Sequence, residues 1–365
     1  MVTRRGFLEN SASSLLAGIF GSGLTGRAVA ANTGWRMPDE GGPHTATWMA
    51  FGPHADIWGN RLQQGARENL ARIAEAIAGF EPVNMLVCER DYDIAHRMCG
   101  ASVNLIVREI DDLWLRDTGP VFVKNSLGQL GGVDFNFNGW GNKQVHANDT
   151  EVAPFVATQS RAQVVTTELV LEGGGIEVDG EGSAIITASC VLNRNRNPGI
   201  SKAACEAELK RVLGLQKIIW LPGIAGKDIT DGHTDFYARF ARPGVVLAHY
   251  DTDPDFYDHE VTLRHLDLLR QVTDAKGRKL EVIVIPGAGS IRPRYENDDF
   301  AAGYINFYLC NHAVIAPEFG DIKTDAYCRD VLRDVFPDRE VIQINIDAIA
   351  AGGGGIHCTT QQQPS

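Results

Sequence analysis

The chain of 365 residues has seven cysteines and ten histidines, yet no C-x-x-C pair, no H-E-x-x-H motif and no Cys/His spacing of a zinc site. Those absences argue against dithiol redox chemistry and a structural zinc. After Trp35 there is no charge block, no low-complexity stretch and no linker, so one folded domain is expected rather than disorder or a string of modules. Basic residues are in deficit: 34 Lys and Arg stand against 46 Asp and Glu, a net charge of −12. That sign disfavours nucleic acid or an anionic membrane as a partner, and it suits a small cation if the acids gather at one mouth. The apolar run from Leu15 to Leu24 is too short to span a bilayer.

Residues 1–30 read as a separate object. Thr3-Arg4-Arg5-Gly6-Phe7-Leu8 is a twin-arginine pattern, followed by the Leu15–Leu24 run and by Ala28-Val29-Ala30, a small-x-small cleavage site. The expectation is an export signal cleaved after about Ala30, the twin-arginine (Tat) export machinery as partner, and a mature domain of 31–365 in the periplasm or secreted. No cysteine follows the apolar run, so no lipid anchor is expected. The seven cysteines are an odd number and sit mostly in apolar segments, as Cys205 does in AACEAELKRVL and Cys310 in YINFYLC. Buried free thiols are therefore expected, which fits a protein folded in a reducing cytoplasm before export.

Strand-like runs at 83–88, 103–110, 217–222, 245–250, 280–286 and 340–345 alternate with helical patterns at 61–80, 201–213, 259–273 and 325–336. This is an α/β chain. Polar, Gly-rich segments recur at 114–120, 172–182, 228–240 and 352–358, which suggests similar units arranged around a centre.

These segments carry the candidate chemistry. Cys358 lies behind the run Gly352–Gly355, where bare backbone lets a substrate approach a thiol closely. His233-x-Asp235, with Asp231 nearby, is compatible with a metal. A hydrolase with a Cys nucleophile needs no metal-activated water, so the preferred reading pairs Cys358 with His233 as nucleophile and base, and gives Glu172 the task of orienting the imidazole. Asp117 and Asp235 are then left over. One thiol, one imidazole and several acids suit a planar cation.

WLRDTGP, LEGGGIEVDG, DGHTDFYARF and GGGGIHCTTQQQP, in that order and with GWRMPDE ahead of them, resemble the agmatine deiminase family, which includes bacterial peptidylarginine deiminase relatives. The resemblance covers essentially residues 35–364. It implies the pentein fold, five ββαβ-type units in a pseudo-fivefold α/β propeller around a central active site. It implies hydrolysis of agmatine to N-carbamoylputrescine and ammonia through a covalent Cys adduct, with no cofactor and no metal. Cys358 is then the nucleophile, His233 the acid/base, Glu172 its partner, and Asp117 and Asp235 the grip on the guanidinium; Trp114 is expected to line the site. A homodimer is left open. Departures from the family pattern include Trp48-Met-Ala-Phe51-Gly52-Pro53 in place of a W-P pair. Arg239 stands near enough to meet a substrate carboxylate, which would favour arginine or peptidylarginine. An amidinotransferase, a dihydrolase or a noncatalytic polyamine-binding protein are the competing readings.

Overall fold

The computed structural model describes Gly34–Ser365. The export signal read at residues 1–30 lies outside the described residues.

The strands form five separate sheets, and Val- or Ile-rich runs supply the central strands of three of them. The first holds β1 (His44–Phe51), β2 (Val83–Val87) and β3 (Val103–Val107). The next is β4 (Val121–Lys124), β5 (Leu130–Asp134) and β6 (Gln163–Thr166). A third has β7 (Glu177–Val178), β8 (Ser183–Thr187) and β9 (Lys217–Leu221). The fourth is β10 (Ala238–Arg242), β11 (Val245–Tyr250) and β12 (Glu281–Pro286), and the fifth β13 (Tyr308–Cys310), β14 (Ala313–Glu318) and β15 (Glu340–Asn345). The last strand, β16 (Gln361–Pro364), returns to the first sheet and pairs antiparallel with β1.

Each sheet therefore has one connection pattern, an antiparallel pair followed by a crossover to a parallel strand. A parallel pair needs a long crossover, and helices supply most of it: α1 (Ala55–Ala78) lies between β1 and β2, α2 (Tyr92–Cys99) between β2 and β3, and α3 (Val152–Gln159) between β5 and β6. The later crossovers contain α4 (Lys202–Leu213), α5 (His259–Gln271) and α6 (Ile322–Val335). Ser201 caps α4 by accepting from the Ala204 N–H, as its sequence position suggested. Apolar helix faces seal the sheets: Leu209, Val212 and Leu213 of α4 pack into one cluster with Val178 and Ile186. All seven cysteines are buried and unpaired.

The six strands expected from apolar runs are present; of the remaining ten most are short or polar, but the apolar β1 and β14 were also not anticipated. LGGVD forms β5 because its glycines sit where Trp35 and Ala157 press against the strand; an added Cβ would come 2.8 Å from Trp35 and 2.9 Å from Ala157. The polar, Gly-rich segment at 172–182 contains a hairpin, β7–β8, with Asp179 Oδ1 accepting from the N–H groups of Glu181 and Ser183.

Closure of the first sheet by β16 is held by Arg116. Its Nη1 donates to Gln361 Oε1 at 2.7 Å and to Gln362 Oε1 at 2.8 Å, all three residues being buried. Gln361→Ala should cost about 1.5–3 kcal/mol in denaturant unfolding, because it leaves a buried guanidinium short of an acceptor. A change within experimental error would show that Arg116 does not depend on β16.

Candidate functional site

A short turn precedes the first hairpin strand of every sheet. Leu115–Thr118 leads into β4, Gly173–Gly175 into β7, Thr234–Phe236 into β10, a turn at Tyr304–Ile305 into β13, and His357–Thr359 into β16. Hydrogen bonds link these turns in a ring. Gly174 N donates to Asp117 Oδ1 at 3.1 Å, and Thr234 Oγ1 donates to Gly175 O at 3.0 Å. Asn306 Nδ2 donates to Asp235 O at 3.5 Å, His357 N donates to Asn306 Oδ1 at 3.0 Å, and Arg116 Nε donates to His357 O at 3.3 Å. The ring brings five of the six expected residues into one buried cluster.

At its centre the fit is close. A Cβ on Gly174 would lie 2.6 Å from His233 Nδ1, 2.9 Å from Asp117 Oδ1 and 3.1 Å from Asp235 Oδ2, so only glycine lets these three groups converge. Cys358 Sγ lies 3.6 Å from Asp235 Oδ2 and 3.4 Å from Asn306 Nδ2. The glycine run beside it allows close packing: a side chain at Gly354 would collide with Trp114, and one at Gly355 with Asn306. Asp117, Glu172, His233, Asp235 and Cys358 are each at most 6% exposed.

His233 is held from both sides. Its Nε2 lies 3.1 Å from Glu172 Oε2, and its Nδ1 is 3.7 Å from Asp117 Oδ2. Glu172 is anchored in turn by Arg196 Nε, which reaches its two oxygens at 2.8 and 2.9 Å. Burial opposes a charged imidazole, but the Asp117 charge and the hydrogen bonds to Cys190 and Glu172 outweigh it and hold the His233 pKa well above its usual range. Burial and the charges of Asp235 and Asp117 push the Cys358 thiol well up. Burial also raises Asp117, to about 6, against the opposing charge of His233. His233 Nδ1 and Asp235 Oδ1 are buried without a hydrogen-bond partner.

Asp235 is oriented by a relay that sequence reasoning missed. His357 Nδ1 lies 2.7 Å from Asp235 Oδ2, and its Nε2 lies 2.8 Å from Glu40 Oε2. Burial, with Arg116 and Arg239 nearby, pushes the His357 imidazole down, whereas two contacts this short require a proton in each gap. The geometry decides: the Asp235–His357–Glu40 trio shares two protons. Glu40 stays ionised despite burial because Arg239, His357 and Arg116 surround it.

The structure bears on three readings of the sequence, a direct Cys358–His233 contact and the two alternatives of a metal at His233 and a substrate contact at Arg239. Cys358 and His233 do not hydrogen-bond to each other; each flanks the Asp117/Asp235 pair instead. His233, Asp231 and Asp235 do not converge on a common point for a metal, since Asp231 turns to Lys143, Asn195 and Arg196 while the His233 ring turns to Glu172 and Asp117. Arg239 is not free for a substrate carboxylate: its Nε donates to Glu177 at 2.9 Å, Nη1 to Phe307 O at 2.8 Å and Nη2 to Glu40 at 2.8 Å. Trp114 is buried behind the glycine run and tilts against Trp58, 5.7 Å between ring centres. Trp140 is a further unanticipated member, donating to Asp117 Oδ2 at 3.0 Å. Glu40 sat in the GWRMPDE motif, a usable signal; Asn306 was hidden in the apolar run read around Cys310.

Comparison with known proteins gives a consistent picture. The family model for Porphyromonas-type peptidyl-arginine deiminase matches residues 36–364. The agmatine deiminase of Pseudomonas putida is 40% identical over 358 residues, covering 91% of this chain and 96% of its own. That of Pseudomonas aeruginosa is 39% identical over 355 residues with the same coverage of both chains. The solved structure of the Enterococcus faecalis agmatine deiminase superposes with a TM-score of 0.85 at 32% identity, covering 91% of this chain and 96% of that one.

The raised Asp117 carboxyl predicts an acid limb in kcat/KM near pH 6, below which turnover of a cationic substrate falls about tenfold per pH unit. The stability effect has the opposite sign. The folded state binds the Asp117 proton more tightly than the unfolded chain, so this group's contribution to stability declines as pH rises from about 4 to about 6. Asp117→Asn should therefore unfold at a higher temperature at pH 8 while losing the limb. A limb that persists unchanged in Asp117→Asn would assign it to another group.

Proposed function

Because the chain belongs to the Porphyromonas-type peptidyl-arginine deiminase family, we propose that it hydrolyses agmatine to N-carbamoylputrescine and ammonia. The observation that carries this reading is the buried carboxylate pair Asp117 and Asp235 beside the Cys358 thiol, with the partnerless Asp235 Oδ1 and His233 Nδ1 at the same place. Two carboxylates supply paired, charge-assisted acceptors for the planar N–H edges of a guanidinium. Agmatine carries no carboxylate, and the cluster offers none a partner: Arg116, Arg196 and Arg239 are each committed to a carboxylate of the protein. That favours agmatine over arginine.

The chemistry follows from the charges. A guanidinium between Asp117 and Asp235 screens the two charges that, with burial, suppress the Cys358 thiolate, so binding lowers the cost of forming the nucleophile, the thiol proton being released to solvent as the substrate enters. Thiolate attack on the guanidinium carbon gives a tetrahedral adduct. Protonated His233, its Nε2 fixed by Glu172, delivers a proton to departing ammonia and leaves an amidino-thioether on Cys358. Neutral His233 then takes a proton from water, whose attack releases the ureido product and the thiol. In this reading the five sheets are the blades of a pseudo-fivefold propeller; the repeated connection pattern and the ring of turns support it. Trp114 acts in it as backing for the glycine run.

Ammonia and ureido product should form fastest from agmatine, more slowly from arginine or an arginine-terminated peptide. Cys358→Ser should bind agmatine without turnover. Asp117→Asn and Asp235→Asn should each lose about 3–5 kcal/mol of transition-state stabilisation, roughly a hundredfold to several-thousandfold in kcat/KM. Ammonia release by Cys358→Ser would rule out the thiol as nucleophile, and arginine as the faster substrate would reverse the choice of substrate.

The same reading places the enzyme outside the cytoplasm, on the strength of Arg4-Arg5 and Ala28-Val29-Ala30. A tagged full-length chain should accumulate in the periplasm starting near Ala31, and Arg4→Lys with Arg5→Lys should hold it in the cytoplasm. Unimpaired export of that double variant would exclude the twin-arginine route.

A further inference from the structure

A second cluster of ionisable side chains is not used by the guanidino chemistry. His249 lies near the end of β11, Asp251 directly follows that strand, and Asp258 stands at the N-cap of α5. One ligand atom from each lies within 4.8 Å of the others. His249 is 8% exposed and Asp258 6%. Among the described residues no ion pair reaches His249 or Asp258, and His249 Nδ1 and Asp258 Oδ1 are fully enclosed without a hydrogen-bond partner. Asp258 does not even make the side-chain cap bond that its position at the helix start offers. Two buried polar side chains placed together, each with an enclosed atom left unpaired, call for a ligand, because enclosing such atoms unpaired is costly.

We propose that His249, Asp251 and Asp258 bind one divalent cation that accepts mixed nitrogen and oxygen donors, for which Mn²⁺ is the probe. One imidazole and two carboxylates carry the two negative charges that balance such an ion, and both donor types suit it. No Lys or Arg among the described residues forms an ion pair with Asp251 or Asp258. The nearby Asp228 is already engaged, accepting from Thr230 N at 2.7 Å and from Gly232 N at 3.3 Å. His265, also near, accepts from Gly223 N through Nε2. Burial pushes His249 down to about 4, which keeps it neutral as a ligand must be, and burial with the Asp251 charge raises Asp258 to about 7, a crowding that a cation relieves. Gly287, just after β12, walls the cluster: a Cβ there would lie 3.2 Å from His249 Cε1 and 3.7 Å from Asp251 Oδ2. The cation ties the segment 251–258 to the ends of β11 and β12, a structural role independent of the reading of the catalytic site.

The test titrates the purified mature enzyme with Mn²⁺ and follows the free-ion EPR signal. Mn²⁺ is chosen because it prefers oxygen and nitrogen to the thiols of Cys190 and Cys358. The wild type should take up one equivalent, show nitrogen modulation from an imidazole, and unfold at a higher temperature with the ion than without it. Asp251→Asn, at a partly exposed position, and His249→Gln should each bind at least about tenfold more weakly, with the nitrogen modulation lost in the histidine variant. Failure to take up a stoichiometric ion, uptake undiminished in Asp251→Asn, or bound Mn²⁺ without nitrogen modulation would each overturn the assignment.

Discussion

Glu40 is the group on which the arrangement of the site rests. Its carboxylate meets Arg116 from the turn before β4, Arg239 from β10, the Leu309 N–H in β13 and His357 from the turn before β16. One buried anion thus ties together parts of four sheets. Burying a carboxylate is costly alone, and burying two guanidiniums without an anion is worse; together they settle into a hydrogen-bonded set. The arrangement is directional, because Arg239 also reaches Glu177 and Arg116 also reaches β16. What the set fixes is the position of Asp235, through His357.

Glu40, Glu172 and Glu177 each have a guanidinium in contact, whereas the only basic side chains in contact with Asp117 and Asp235 among the described residues are imidazoles. Arg196 steadies Glu172, and through it His233, without approaching the Asp pair. The protein therefore pairs the carboxylates that hold the frame and leaves two for a cation from outside. Buried perturbed groups of this kind mark functional sites more often than structural ones. Here the distinction between frame and site can be drawn residue by residue from who has a guanidinium partner.

Much of this was legible in the sequence, and what was not has a physical reason. Apolar runs and the 3.6-residue periodicity betrayed six of the parallel-paired strands and four of the crossover helices, since such strands are covered on both faces; β1, β5, β6, β8 and β14, which also pair parallel, were not anticipated. The antiparallel first strands are two to five residues long in the four three-stranded sheets, and three of the four carry charge, as in β7, EV, and β10, ARFAR. Period-2 reasoning has nothing to hold in so short a segment. Glu172, His233, Asp117, Asp235 and Cys358 stood out because charge beside glycine is unusual in an apolar context. Asn306 did not, since a neutral amide inside YINFYLC looks like core. Arg239 shows the opposite error: its charge suggested a ligand contact, but an arginine on a strand can be wholly consumed by buried acids.

In the proposed mechanism the nucleophile and the substrate grip are in electrostatic conflict, and that conflict explains the order of events. Burial, with the charges of Asp235 and Asp117, pushes the Cys358 pKa up, which in the proposed mechanism keeps the sulfur a weak nucleophile until substrate binds. Relocating the acids to free the thiolate would remove the acceptors that recognise the guanidinium. A bound guanidinium resolves the conflict, because its charge offsets both carboxylates within a few ångströms of the sulfur in a site shielded from water, where such interactions are strong. The sulfur then loses its proton only when there is a carbon to attack. A buried cysteine that becomes reactive only next to its substrate would also be protected from oxidation in the periplasm, where the proposed export signal would deliver the enzyme.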